Sequence, residues 1–116
     1  MAEGRERFEE LVRDALDSLP DWVQERMVNV EVIVEERPPR SEPNLLGRYH
    51  GVPLIKRGQF SSGPVFPDTI TLYRRTIERV SRDDAHLRQV VAHTVEHEVA
   101  HFFGISDDRL REIDRY

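Results

Sequence analysis

The residues of this chain whose types and spacing can do chemistry are His97-Glu98-Val99-Ala100-His101, followed by Gly104 and Asp107. At 3.6 residues per helical turn, positions 97 and 101 lie about 40° apart around a helix and about 6 Å apart along it, so both imidazoles can reach one metal ion. Glu98 stands roughly 60° around the helix from His101, close enough to flank that ion as a general base without ligating it. Gly104 can take the left-handed conformation that ends a helix, which reverses the chain and returns Asp107 towards the histidines as a third ligand. Three protein ligands leave one tetrahedral position open for water, the arrangement of a hydrolytic zinc site, so Zn2+ is the expected cofactor. Two histidines and an aspartate are also the ligand set of non-haem iron oxygenases, but the position of Glu98 favours zinc and hydrolysis. A solvated helix with two histidines one turn apart by chance would need neither Glu98 nor Gly104.

The rest of the composition narrows the choice. The chain has no cysteine, so a disulfide framework and a thiolate metal site are both excluded, and a transition-metal site must use His with Asp or Glu. Its 116 residues suit one domain spanning the whole chain, with room for one site. A net charge of −5 with 34% charged residues of mixed sign argues against a nucleic-acid partner. No apolar run is long enough for a signal peptide or a membrane span, so no membrane partner is expected and the expected compartment is the cytoplasm.

Elements must then be found to position the site. Leu87, Val90, Val91 and Val95 form an apolar stripe leading up to the histidines, with Ser81 and Asp84 as the expected start of that helix. Phe8, Leu11, Val12, Ala15, Leu16 and Leu19 mark an amphipathic N-terminal helix that stops at Pro20, and Trp22 to Met27 predict a short second turn with Trp22 as a packing residue. Val30, Val32 and Val34 alternate with Glu31, Ile33 and Glu35, which predicts a strand with one face on the core. Between residues 41 and 68, Pro43, Pro53, Pro64 and Pro67 with Gly47, Gly51, Gly58 and Gly63 punctuate short strands and loops. Leu45 to His50 reads as one strand, with Gly51 to Leu54 turning into another, in a hairpin. Thr69 to Arg74 reads as the last strand before the histidine helix, able to bind an extended peptide along its edge. Arg74, Arg75, Arg79 and Arg82 read as a solvated face, and Leu110 and Ile113 as a final short helix capped by Ser106. His93, one turn before His97, is read as a rim residue that could reach the outer shell of the metal, while His50 and His86 have no partner at metal spacing.

The motif resembles that of the zincin metallopeptidases in the variant that ends in Asp. The whole chain resembles the minimal zincin-like metallopeptidase family of bacteria through Ala15-Leu16-Asp17-Ser18-Leu19-Pro20, Asn29 to Glu35, Leu45-Leu46-Gly47 with Tyr49, Gly51 and Pro53, and Ile70 to Arg74. The resemblance implies a compact α+β fold, with a small mixed sheet packed against the N-terminal and active-site helices. It also implies His97, His101 and Asp107 as zinc ligands, Glu98 as the catalytic residue, and a peptide or protein substrate. The chain departs from the larger relatives in three ways. Both methionines precede the motif, so no methionine turn underlies the metal. Too few residues follow His101 to supply a later glutamate helix, which leaves Asp108, Glu112 and Asp114 as the substitutes for Asp107. No segment remains to build the lower lobe of a cleft, so a partner or second subunit is the expected means of completing it. Tyr73, Arg74 and Tyr116 are the available guesses for an oxyanion donor, and a packing or surface role is the stronger reading of each. Two functions fit: a zinc-dependent peptidase using Glu98 as base, and a non-catalytic zinc-binding module of the same fold acting in interaction or regulation.

Overall fold

The computed structural model describes residues 2–53 and 67–113. In chain order these form α1 (Ala2–Asp17), α2 (Asp21–Arg26), β1 (Val30–Glu35), β2 (Gly47–His50), β3 (Asp68–Tyr73), α3 (Arg74–Val80), α4 (Asp84–Phe102) and α5 (Asp107–Glu112). The second strand of the expected hairpin, from Leu54 onward, lies outside the described residues.

Alternation along the strands decides which face of the sheet is apolar. β1 runs parallel to β3 with Val30 opposite Asp68, Val32 opposite Ile70 and Val34 opposite Leu72. The valines therefore share one face with Ile70 and Leu72, both of which are fully buried. On the other side of β3, β2 runs antiparallel with Gly47 opposite Leu72 and Tyr49 opposite Ile70. The result is a mixed sheet of order β1-β3-β2. The helices α1 and α4 cover its apolar face, and Phe8, Leu11 and Val12 meet Val91, Val95 and Val99 in the core. This is the α+β architecture expected from the sequence.

Several local expectations are corrected. The strand read at Thr69 to Arg74 is the central one, hydrogen-bonded on both sides, so its edge cannot receive a peptide; among the described residues the outer strand near the histidine helix is β2. Arg74 is the first residue of α3, a helix the strand pattern concealed because β3 enters it without a loop. Arg74 is also not solvated: it is only 4% exposed. Its guanidinium grips both oxygens of Glu36 at 2.7 and 3.0 Å and reaches Glu78 at 3.0 Å. The parallel pairing of β1 and β3 places Glu36 at the strand ends where Arg74 begins its helix, and Arg75, half exposed, reaches the same carboxylate at 3.5 Å. Asp83, not Ser81, caps α4, accepting the His86 N–H at 2.8 Å, while the Ser81 hydroxyl donates back to the Ile77 carbonyl and closes α3. Trp22 is 58% exposed and meets Phe103 edge-on; Val23 is the buried residue of α2. Among the described residues no helix is long and apolar enough to cross a membrane.

Candidate metal centre

The core-facing stripe of α4 is Val91, Thr94, Val95, Glu98, Val99 and Phe102. A carboxylate thus occupies a position that the helical period assigns to an apolar side chain, and Glu98 is only 6% exposed. His97 and His101 lie on the flank of that stripe with their rings 4.7 Å apart.

The turn after α4 completes the constellation. Gly104 has φ 93°, the left-handed conformation expected of it. The Gly104 N–H donates to the His101 carbonyl at 2.9 Å and the Ile105 N–H to the Ala100 carbonyl at 3.0 Å, the paired bonds of a Schellman ending. Ser106 then caps α5 by accepting the Arg109 N–H. Asp107 thereby enters the first turn of α5 facing back towards α4, and its Oδ1 lies 3.2 Å from His97 Nε2 and 2.9 Å from His101 Nε2. The two Nε2 atoms are 3.1 Å apart.

These separations fit a transition-metal ion. Nitrogen and oxygen ligands at about 2.0–2.1 Å in a tetrahedron sit about 3.3 Å from one another. The donor set also has the right protonation. His101 Nδ1 lies 2.9 Å from the Ile105 carbonyl, which can only accept, so Nδ1 carries the proton and Nε2 presents its lone pair to the group. Burial, reinforced by His101 next to it, holds His97 below the ordinary histidine range and keeps it neutral. Among the described residues, His97, His101 and Asp107 are the group whose ligand atoms converge closely enough to hold a metal ion. Asp108 pairs with Arg111 and Glu112 with Arg109, so neither substitutes for Asp107, and Asp114 lies outside the described residues. His93 is exposed with its ring 6.3 Å from that of His97 and outside the ligand group.

Glu98 stands beside the three ligands and outside their set. Burial pushes its carboxyl up to about 7, with His101, the Tyr49 backbone N–H and Arg48 pulling the other way and Asp107 adding to the rise. A cleft of about 480 Å³ opens over this group, with Gly47, Arg48 and Tyr49 of β2 along one side and the turn from Gly104 to Asp107 along the other.

Sequence reasoning missed the contribution of β2. Gly47 touches α4 so closely that a Cβ there would lie 2.9 Å from Thr94 Cγ2, 3.0 Å from the Thr71 carbonyl and 3.3 Å from Glu98 Cγ. A glycine inside a strand pattern is the signal of such a close approach. The Tyr49 backbone N–H is among the groups that pull the Glu98 carboxyl down, and no pattern of side chains could announce a main-chain donor. Of the oxyanion guesses, Arg74 is tied to Glu36 and Glu78, Tyr73 is buried, and Tyr116 lies outside the described residues.

The family model of zincin-like metallopeptidases matches residues 27–116, which include both outer strands, the histidine helix and the turn to Asp107. The chain belongs to that family. Comparison with curated proteins returned no match.

Proposed function

We propose that the protein is a zinc-dependent peptidase in which His97, His101 and Asp107 hold the ion and Glu98 is the general base. The observation that carries this reading is the pairing of a three-membered ligand group with a buried carboxylate that stands beside it and outside its set. When bound, zinc lowers the pKa of a coordinated water and polarises the scissile carbonyl. The chain's own residues supply the rest. Glu98 accepts a proton from the attacking water at its carboxylate and returns it to the leaving amine, and a carboxyl near neutral pKa suits both transfers. Among the described residues β2 has a neighbouring strand on one side alone, and the main-chain groups of Gly47 on its other side are placed to meet an extended peptide. A site meant only to hold structure is normally closed by four protein ligands, and the carboxylate beside this one is left buried outside the ligand group.

Elemental analysis of purified protein should give equimolar zinc, lost in His97→Ala. Glu98→Gln should keep the zinc and lose hydrolysis by about 10²–10⁴-fold on any peptide the wild type cleaves. Unchanged zinc in His97→Ala, or full activity in Glu98→Gln, would reject the assignment.

A further inference from the structure

The cleft over the ligand group carries a charged pair that the proposed chemistry leaves unused. Among the described residues Arg48 is the one arginine or lysine that lines it, and Glu42 lines it as well. Arg48 lies within β2, directly after Gly47, where a Cβ would stand 3.3 Å from Glu98 Cγ. The guanidinium is thus borne by the neighbour of the residue that touches the proposed base. Its Nη2 donates to Glu42 Oε2, six residues earlier on the turn that leads into the strand. Both side chains of this pair are open to water, 42% exposed for Arg48 and 48% for Glu42. Such a pair holds weakly, because water competes for both partners and salt screens them. Arg74 is the opposite case: its side chain is 5% exposed and is held by two carboxylates away from the cleft. Arg74 is committed to its partners, whereas the carboxylate on Arg48 can be exchanged for another.

Charge and geometry say which ligand would make that exchange. Two neutral histidines and one aspartate leave a divalent ion with a net positive charge, and Arg48 places a second cation in the same cleft. A ligand that answers both has a carbonyl oxygen for the metal and an anionic group for the guanidinium. The planar fork of an arginine matches a carboxylate through two parallel bonds, which a single amide oxygen cannot reproduce. An ammonium group would be repelled from both points. The volume of about 480 Å³ suits a ligand of a few residues, so the two groups can belong to one short stretch of peptide.

We propose that Arg48 is a specificity-determining residue of the cleft: it binds a carboxylate of the peptide substrate, and Glu42 occupies it until that carboxylate arrives. The carboxylate is either the C-terminus of the peptide or an acidic side chain close to the scissile bond. This names a substrate class for the same site and rests on its reading as a zinc peptidase, but it can be tested without turnover.

The test is calorimetric binding of non-hydrolysable probes to the zinc-loaded, full-length protein. The probes are the monohydroxamic acids of succinic, glutaric and adipic acid, in which the hydroxamate takes the zinc and a carboxylate stands progressively further from it. Each is compared with its own carboxamide. In wild type the best carboxylate probe should bind about fivefold or more tighter than its carboxamide, and high salt should shrink the ratio. Arg48→Gln should bring the ratio close to one with zinc still equimolar; because it is a ratio, a general loss of binding cancels. Glu42→Gln, which releases the guanidinium, should raise the ratio about twofold or more. Malonyl hydroxamates of glutamate amide, of alanine with a free terminus and of glutamine amide identify the source. Tighter binding of the first than the third assigns a side-chain carboxylate, and of the second than the third a terminal one. Equal binding of carboxylate and carboxamide in wild type overturns the proposal, as does a preference that survives Arg48→Gln or a protein that binds no hydroxamate. The preference in a protein that cleaves no peptide upholds the carboxylate site and removes the hydrolytic reading. Hydrolysis that is lost in Glu98→Gln, in a protein with no such preference, does the reverse.

Discussion

Arg74 and Glu98 are both buried charged side chains, and the fold treats them in opposite ways. At the junction of β3 and α3, the Arg74 guanidinium is met by Glu36 through two bonds and by Glu78 through another, with Arg5 joining Glu36 at 3.0 Å. Each partner favours the charged form of the other, so Glu36 is held down to about 2 and Arg74 is raised above its ordinary value. On α4, Glu98 is just as buried, and burial outweighs the pull of His101, the Tyr49 backbone N–H and Arg48, with Asp107 working against them. The first region resolves its charge internally. The second leaves a carboxylate under electrostatic strain beside a group of potential ligands, which is the asymmetry that separates a structural ion pair from a site built to act.

The largest expected effect breaks that asymmetry at Glu98. In chelator-treated protein the folded carboxyl titrates near 7 and the unfolded one near 4.5. The unfolded chain therefore gives up its proton first, and stability falls as pH rises from 4.5 to about 7. The loss amounts to up to about 3 kcal/mol. His97, lowered by burial, pulls the other way below its ordinary range, so the informative quantity is the difference from Glu98→Gln, which keeps His97. Denaturant melts should show Glu98→Gln gaining on wild type steadily over this window and level above it. A difference independent of pH would mean that Glu98 is not strained by burial.

Arg74→Met should do the reverse and destabilise at neutral pH. Removing one partner from a buried pair costs about 3–5 kcal/mol when the other charge stays buried. Here the Glu36 and Glu78 side chains are 39% and 32% exposed and can regain water. The expected loss is therefore about 2 kcal/mol, read from urea melts with zinc content unchanged. Loss of zinc without loss of stability would show that the ion-pair cluster supports the site after all.

How much of this could be read beforehand follows from which interactions are local. The histidine spacing, the helix ending at Gly104, the return of Asp107 and the Ser106 cap all lie within one turn and its neighbour, and their period is written directly in the sequence. The valine alternation of β1 was legible for the same reason. Strand order was not, because Ile70 and Leu72 alternate identically whether their strand is central or at an edge. Arg74 looked like one more arginine in a basic run, since its partner Glu36 is distant in sequence and is brought to it only by parallel pairing. The contact of Gly47 with α4 was marked by its residue type alone and required the fold to become specific.

Gly47→Ala sharpens the comparison by testing whether the Glu98 region depends on close approach. The added methyl meets a side-chain atom, a backbone oxygen and the Glu98 stem within 3.3 Å, and the Thr71 carbonyl cannot move without disturbing β3. The strand must back away from α4, which should lower stability by about 1–2 kcal/mol. It should also speed amide exchange along β2 while leaving the α3 cluster unaffected. A variant as stable as wild type, with β2 amides unchanged, would show that the strand and helix have slack.

The smallest effect belongs to Glu36, and its sign is what matters. Its carboxyl is depressed from 4.5 to about 2, first by the hydrogen bond to Arg74 and then by the charges of Arg74, Arg5 and Arg75, against the opposing effect of burial. A depressed acid contributes stability that is fully present above its unfolded value, here 4.5, and that is lost as pH falls towards the folded value near 2. Because the Glu36 side chain is 39% exposed, solvent screening reduces the contribution to under about 1 kcal/mol, and added salt should shrink it further. Glu36→Gln should therefore be less stable than wild type at pH 7, with the gap narrowing as pH drops below about 4.5. This pH dependence is opposite to that of Glu98→Gln, whose advantage grows upward from the same starting pH. If both variants drifted from wild type in the same direction between pH 3 and 8, the two carboxylates would be alike, and the case for a carboxylate held in readiness beside the histidines would lose its physical basis.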